Sequence, residues 1–168
     1  NMSKVNKHDD LSVWLIDSTL RDGEQAPGVA FTKAEKIRIA KLLVESGVDE
    51  IEAGIPIMGE EEQDTIRSLK REFPHVWLTN WCRAHEEDLR MADRCGTGSI
   101  HISFPASPIL LNAFDKDQDW VCRQMESLIP IAGKYFDYVS VGAQDATRCD
   151  QQWLNTLVEL ADGSGAQR

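Results

Sequence analysis

The sequence predicts an α/β fold built on a parallel sheet, and three observations carry that prediction. Short apolar runs alternate with longer amphipathic stretches five times, at a repeat of about thirty residues, the size of a β/α unit. Gly, Pro, Ser, Thr and Asp mark the boundaries between runs, where caps and turns need them. The stretches between apolar runs are long enough for crossover helices, and such crossovers are right-handed. On this pattern alone, a five-stranded doubly wound sheet and a portion of a β/α barrel are equally good.

The first strand is the run Val13-Trp14-Leu15-Ile16, and a glycine-containing loop follows to about Phe31. Thr32 with Glu35 forms a capping box, so a helix starts there. Gly47 ends it near Ser46 as a left-handed C-cap would. A second strand with its loop covers residues 49–56. The next helix, from Glu60 to Phe73, is acidic at its start and basic at its end, as the macrodipole favours, and Pro74 stops it. Residues 76–81 read as strand three and residues 85–94 as a short helix. Residues 99–104 read as strand four, and a loop holds Pro105 and Pro108. A helix runs from Asp117 to about Ile129, where Pro130 is expected to kink or end it. Residues 138–142 are strand five. Asp150 caps a last helix through Leu160. By composition, residues 1–12 are a flexible amino-terminal segment, 13–161 the folded domain and 162–168 a flexible tail.

Charge and cysteine usage narrow the function. The net charge of −10 argues against nucleic acid and membrane surfaces, which select basic patches. No apolar run approaches the ~20 residues of a membrane span. The four cysteines form no CxxC pair and the four histidines no HxH or HExxH pair, so neither a zinc finger nor a disulfide framework is expected. Free cysteines without a signal peptide point to the cytoplasm.

The chemistry concentrates in Asp17-Ser18-Thr19-Leu20-Arg21-Asp22-Gly23-Glu24-Gln25. A plain turn would use Gly, Pro, Asn or Ser. Arg21 and Asp22 instead stand together after a strand, at the end where parallel α/β folds bind ligands. Leu20-Arg21-Asp22-Gly23-x-Gln25, followed after ten residues by Lys36, resembles the signature of metal-dependent barrels of the pyruvate-carboxyltransferase type. That family includes homocitrate synthase, isopropylmalate synthase and hydroxymethylglutaryl-CoA lyase. Gly54-Ile55-Pro56, Met58-Gly59-Glu60-Glu61-Glu62, Trp81-Cys82-Arg83-Ala84 and Val139-Ser140-Val141-Gly142 resemble the homocitrate synthases of nitrogen-fixing bacteria. The resemblance turns the fold prediction toward a (β/α)8 TIM barrel. The chain is shorter than the ~250 residues such a barrel usually takes, so about five β/α units of a partial barrel are expected.

The resemblance implies an acyltransferase that condenses acetyl-CoA with 2-oxoglutarate, or with a branched 2-oxo acid in the isopropylmalate synthase branch. A non-catalytic half-barrel serving assembly or binding is the reading from another class. A divalent metal (zinc, manganese or magnesium) would polarise the 2-oxo acid, with Asp22 as its ligand. Arg21 would stabilise the oxyanion, and Glu52 would support proton transfer. Gln25, Arg83, Ser107 and Thr147 would contact substrate. His101 alternates with Ile100 and Ile102 and reads as a satisfied packing histidine. The family's His-x-His metal ligands are absent, since no histidine follows His101; Pro108 and Gln144 replace expected acids. This chain alone is therefore expected to bind metal weakly or not at all and to be inactive. Its open sheet is expected to expose an apolar inner face and to self-associate as a homo-oligomer, bringing Val13, Leu15, Val139 and Val141 near a partner.

Overall fold

The structure, a computed structural model, describes residues 13–168, and the amino-terminal segment 1–12 lies outside the described residues. Five strands form one sheet: β1 (Ile16–Asp17), β2 (Glu50–Gly54), β3 (Trp77–Arg83), β4 (Ser99–Pro105) and β5 (Tyr138–Gln144). Every neighbouring pair is parallel and the order is β1-β2-β3-β4-β5. That order decides between the two predicted architectures. A doubly wound sheet reverses its strand order at a switch point; here each strand adds beside the last, as in a barrel wall. Right-handed crossovers that all step the same way put the helices on one face.

The helices are α1 (Lys33–Glu45), α2 (Glu60–Glu72), α3 (Glu86–Asp93), α4 (Pro108–Ala113), α5 (Gln118–Tyr135) and α6 (Gln151–Gly163). The Thr32–Glu35 capping box is formed on both sides, and Asp117 and Asp150 cap α5 and α6 through Trp120 and Trp153 N–H groups. Two elements differ from expectation. Helix α4 occupies the predicted loop, with Ser107 as N-cap and Pro108 in its first turn, where a missing N–H does no harm. Helix α5 passes through Pro130 to Tyr135. Pro130 and Glu126 both lie on the exposed side, so water can satisfy the carbonyl that proline leaves free, while Leu128, Ile129 and Ala132 stay packed.

Strand alternation sorts the side chains. Ile51, Leu78, Ile100, Ile102, Phe104 and Val139 face the helices and are essentially fully buried. Glu50, Glu52, Thr79, Trp81, Ser99, His101 and Ser140 take the other face, tied by Thr79 to Glu50 at 2.6 Å, Thr79 to Ser99 at 2.9 Å and His101 to Ser140 at 2.9 Å. The expectation of an exposed apolar inner face is therefore corrected. The inner face is mainly polar and aromatic, with Ile16 beside Glu50 as an aliphatic exception; Val139 and Val141 pack toward α5 and α6, whereas Val13 and Leu15 are exposed. The strands are one-sidedly apolar, whereas strands apolar on both faces read as near-continuous hydrophobic runs.

The tail, read from composition as flexible, lies along the outer edge of β5. Gln167 N–H donates to Val139 O and Val141 N–H to Arg168 O, both at 2.8 Å, in the position of a next strand. The Arg168 guanidinium then crosses the inner face to both carboxylate oxygens of Glu50 at 2.8 Å.

Candidate functional site

The first site residues sit where β1 ends. The Ser18 carbonyl accepts from the N–H groups of Arg21, Asp22 and Gly23 at 2.8–3.1 Å. This tight turn lifts the Arg21-Asp22 pair to the C-terminal end of the sheet. A 3₁₀ turn over Gly23–Gln25 continues it. Glu52, on β2, is 8% exposed and points to the same end.

Arg21 joins the acids. Its Nε donates to Glu52 Oε2 at 2.9 Å and its second guanidinium nitrogen lies 2.7 Å from the same oxygen. Its third donates to Asp22 Oδ1 at 2.8 Å. The guanidinium also lies 5.6 Å from the centre of the Trp81 ring, a cation–π distance. The predicted cluster of Arg21, Asp22 and Glu52 is thus brought together. Glu52 and Arg21 are mostly buried, whereas the Asp22 side chain is 61% exposed, and Glu52 Oε1 has no protein partner among the described residues.

The remaining predicted residues lie at the same end in different states. Gln25 and Thr147 are exposed. Arg83 turns toward the start of α3 and forms a bidentate pair with the buried Asp88 at 2.9 and 3.0 Å, which holds its pKa above the ordinary value. Ser107 is fully buried; its hydroxyl accepts the Leu110 N–H at 3.1 Å. The nearby Ser107 hydroxyl and the Arg148 guanidinium hold the Asp145 carboxyl below its usual range.

His101 was expected to be a packing residue, and its Nδ1 is indeed satisfied by Ser140. It nevertheless stands in the middle of the inner face, opposite Trp81 on one side and Ser140 on the other. Gly142 makes room for it, since a Cβ there would lie 2.6 Å from His101 Nε2. Burial, then the positive charges of Arg168 and Arg21, push its pKa down to about 4. The signal that could have placed it is the alternation Ser99-His101-Ser103, polar on one face of the strand.

Below His101, Glu50 is 1% exposed. Burial alone would raise its pKa, but bonds from Arg168, Thr79 and Trp14 outweigh this and hold it below the ordinary value. Among the described residues, no group of three or more His, Cys, Asp or Glu side chains is placed to hold a metal ion. Asp22 offers one hard oxygen ligand at the rim and does not by itself make a metal centre. No helix among the described residues is long and apolar enough to cross a membrane.

A family profile described as HMGL-like matches residues 12–168. A homocitrate synthase of Frankia alni is 41% identical over 149 residues, covering 88% of this chain and 42% of that protein. A 2-isopropylmalate synthase of Caldanaerobacter subterraneus subsp. tengcongensis is 38% identical over 160 residues, covering 95% of this chain and 42% of that protein. The chain therefore spans about two-fifths of the length of these relatives. The crystal structure of an HMG-CoA lyase from Bacillus subtilis superposes with a TM-score of 0.75 at 17% identity, covering 92% of this chain and 56% of that one. That likeness carries the fold, a five-stranded part of an α/β barrel.

Proposed function

The chain belongs to the HMGL-like family, and on that premise we propose that it is the amino-terminal part of a homocitrate-synthase-like condensing acyltransferase. In the whole protein, the methyl carbon of acetyl-CoA would lose a proton to a base and bond to the ketone carbon of 2-oxoglutarate, whose oxygen becomes an alkoxide and takes up a proton. Coenzyme A then leaves by hydrolysis. The observation that carries this reading is the Arg21 guanidinium held between Glu52 and Asp22 at the C-terminal ends of β1 and β2. The guanidinium charge of Arg21 is placed to stabilise the alkoxide that develops at the attacked carbonyl. Glu52 keeps Oε1 available for a proton or a water. Asp22 is proposed as one oxygen ligand of a divalent metal, which when bound would polarise the 2-oxo group; the described residues do not supply the remaining ligands. Gln25 and Thr147 are proposed substrate contacts, and Arg83 and Ser107 would join them only by leaving Asp88 and the α4 cap. Self-association and a cytoplasmic location belong to the same proposal.

The isopropylmalate synthase relative supports a second reading, in which the acceptor is a branched 2-oxo acid. Product analysis by mass spectrometry separates the two. The full reading frame, given acetyl-CoA with 2-oxoglutarate or 2-oxoisovalerate, is expected to yield homocitrate, and Arg21→Ala to lower the rate by about a hundredfold or more. Isopropylmalate in place of homocitrate would move the assignment to the branched acid. Neither product would overturn the condensing-enzyme reading.

A further inference from the structure

Lys36 is part of the signature, yet it lies on α1, away from the rim, and is 3% exposed. Its ammonium contacts two carboxylates: Glu24 Oε2 at 2.6 Å and Glu62 Oε2 at 2.7 Å. Each of those carboxylates uses its other oxygen on main chain. Glu24 Oε1 accepts from Phe31 N–H at 3.1 Å, closing the loop that carries Arg21 and Asp22. Glu62 Oε1 accepts from Ile55 N–H at 3.2 Å, just beyond the irregularity between Glu52 and Gly54 in the β2–β3 register. Gly54 lets Glu62 approach: a Cβ there would stand 2.0 Å from Glu62 Oε1, and its φ of +149° also favours glycine.

One buried cation thus joins the loop after β1 to the loop after β2. A simple core position would carry an apolar residue, because burying an ammonium is costly unless it is paired and hydrogen-bonded. Here it is paired twice. Both partners are the acids that fix the loop bearing Arg21 and the chain just after the strand bearing Glu52. Burial disfavours the charged form of Lys36, but the Glu24 and Glu62 hydrogen bonds outweigh that and raise its pKa, so it stays charged at neutral pH.

We propose that Lys36 is a positioning residue: it locks the β1–α1 and β2–α2 loops together through Glu24 and Glu62, and so sets the Arg21–Glu52 contact. Its description as positioning rests on the condensing-enzyme reading; the lock itself does not.

Solution NMR of the ¹⁵N-labelled chain tests the lock. The readouts are water exchange at the Phe31 and Ile55 amides, the Arg21 Nε–H signal, and the Ile102 amide in β4 as a scaffold control. Lys36→Met is expected to speed exchange at the first three about tenfold and leave Ile102 unchanged. Lys36→Arg, which keeps the cation, is expected to restore part of the protection. Glu24→Ala is expected to release Phe31 and Arg21 but not Ile55, and it decides the matter if Lys36→Met does not fold. Unchanged Arg21 exchange in Glu24→Ala, or equal acceleration at Ile102, overturns the proposal. Loop release as expected, with no condensation product from the full reading frame, would remove the functional reading and leave the lock standing.

Discussion

Acidification between pH 7 and pH 5 should weaken the fold through His101. The ring is mostly buried on the inner face. Ser140 donates its hydroxyl to Ile100 O at 3.3 Å, so it accepts from His101 Nδ1–H, leaving Nε2 as a bare lone pair over Gly142. The charged groups that face it are Arg168 from the β5 edge, Arg21 from the β1 loop and Glu50 from β2; the two arginines disfavour the imidazolium and Glu50 favours it. With a folded pKa of about 4 and about 6.5 in the unfolded chain, the unfolded state takes up a proton first. Stability therefore falls as pH drops through 6.5 and stops falling from this source near 4. The loss between pH 7 and pH 5 is about 2 kcal/mol. Urea denaturation at pH 7, 6 and 5 measures it, and His101→Asn should flatten the slope. A wild-type slope no steeper than the variant's, or a His101 ring that titrates near its ordinary value by NMR, would refute the reasoning.

Two further outcomes follow from the charges on the inner face. Arg168→Met leaves Glu50 buried with only the Thr79 and Trp14 donors. The expected loss, discounted because the arginine is 36% exposed, is about 2 kcal/mol in urea midpoint analysis. Much of it should return in the double variant with Glu50→Gln. Manganese titrated calorimetrically into this chain should bind with a Kd of about 1 mM or weaker and lose its signal with Asp22→Ala, since one carboxylate is the matched ligand. A tight stoichiometric site would show that other groups complete the centre.

Much of the fold was legible because local chemistry agreed with it. The Thr32–Glu35 capping box, the acidic start and basic end of α2, and the turn glycines fix the β/α alternation. The Arg21–Asp22–Glu52 cluster was legible because strand ends in a parallel sheet converge. Helix α4 has a local signal in Ser107-Pro108, an N-cap followed by an N1 proline, but Pro105 and Pro108 three residues apart point as readily to a loop. The continuation of α5 through Pro130 depends on which way the freed carbonyl faces, a tertiary fact. Val139 and Val141 turn toward the helices because Ser140 between them pairs with His101 on the inner face, a choice of face that the short run 138–142 does not fix by itself. The Arg168–Glu50 pair spans 118 residues and leaves no local trace.

The inner face sorts its charges in layers, and this bears on how the rim can work. Arg168 neutralises Glu50 at the bottom, a neutral His101 occupies the middle, and Arg21 neutralises Glu52 above it. Each buried acid is thus matched by one arginine, as burial of charge requires. Asp22 is different. It shares the Arg21 guanidinium through Oδ1 alone, and its side chain is mostly in solvent. At the rim, one negative charge is therefore left over, carried by a hard oxygen that faces outward. That surplus would repel a bare 2-oxo acid, since such an acid is itself anionic, and a divalent cation at Asp22 would reverse the sign. On the proposed function, metal before substrate is the binding order these charges favour, with Arg21 already anchored on Glu52.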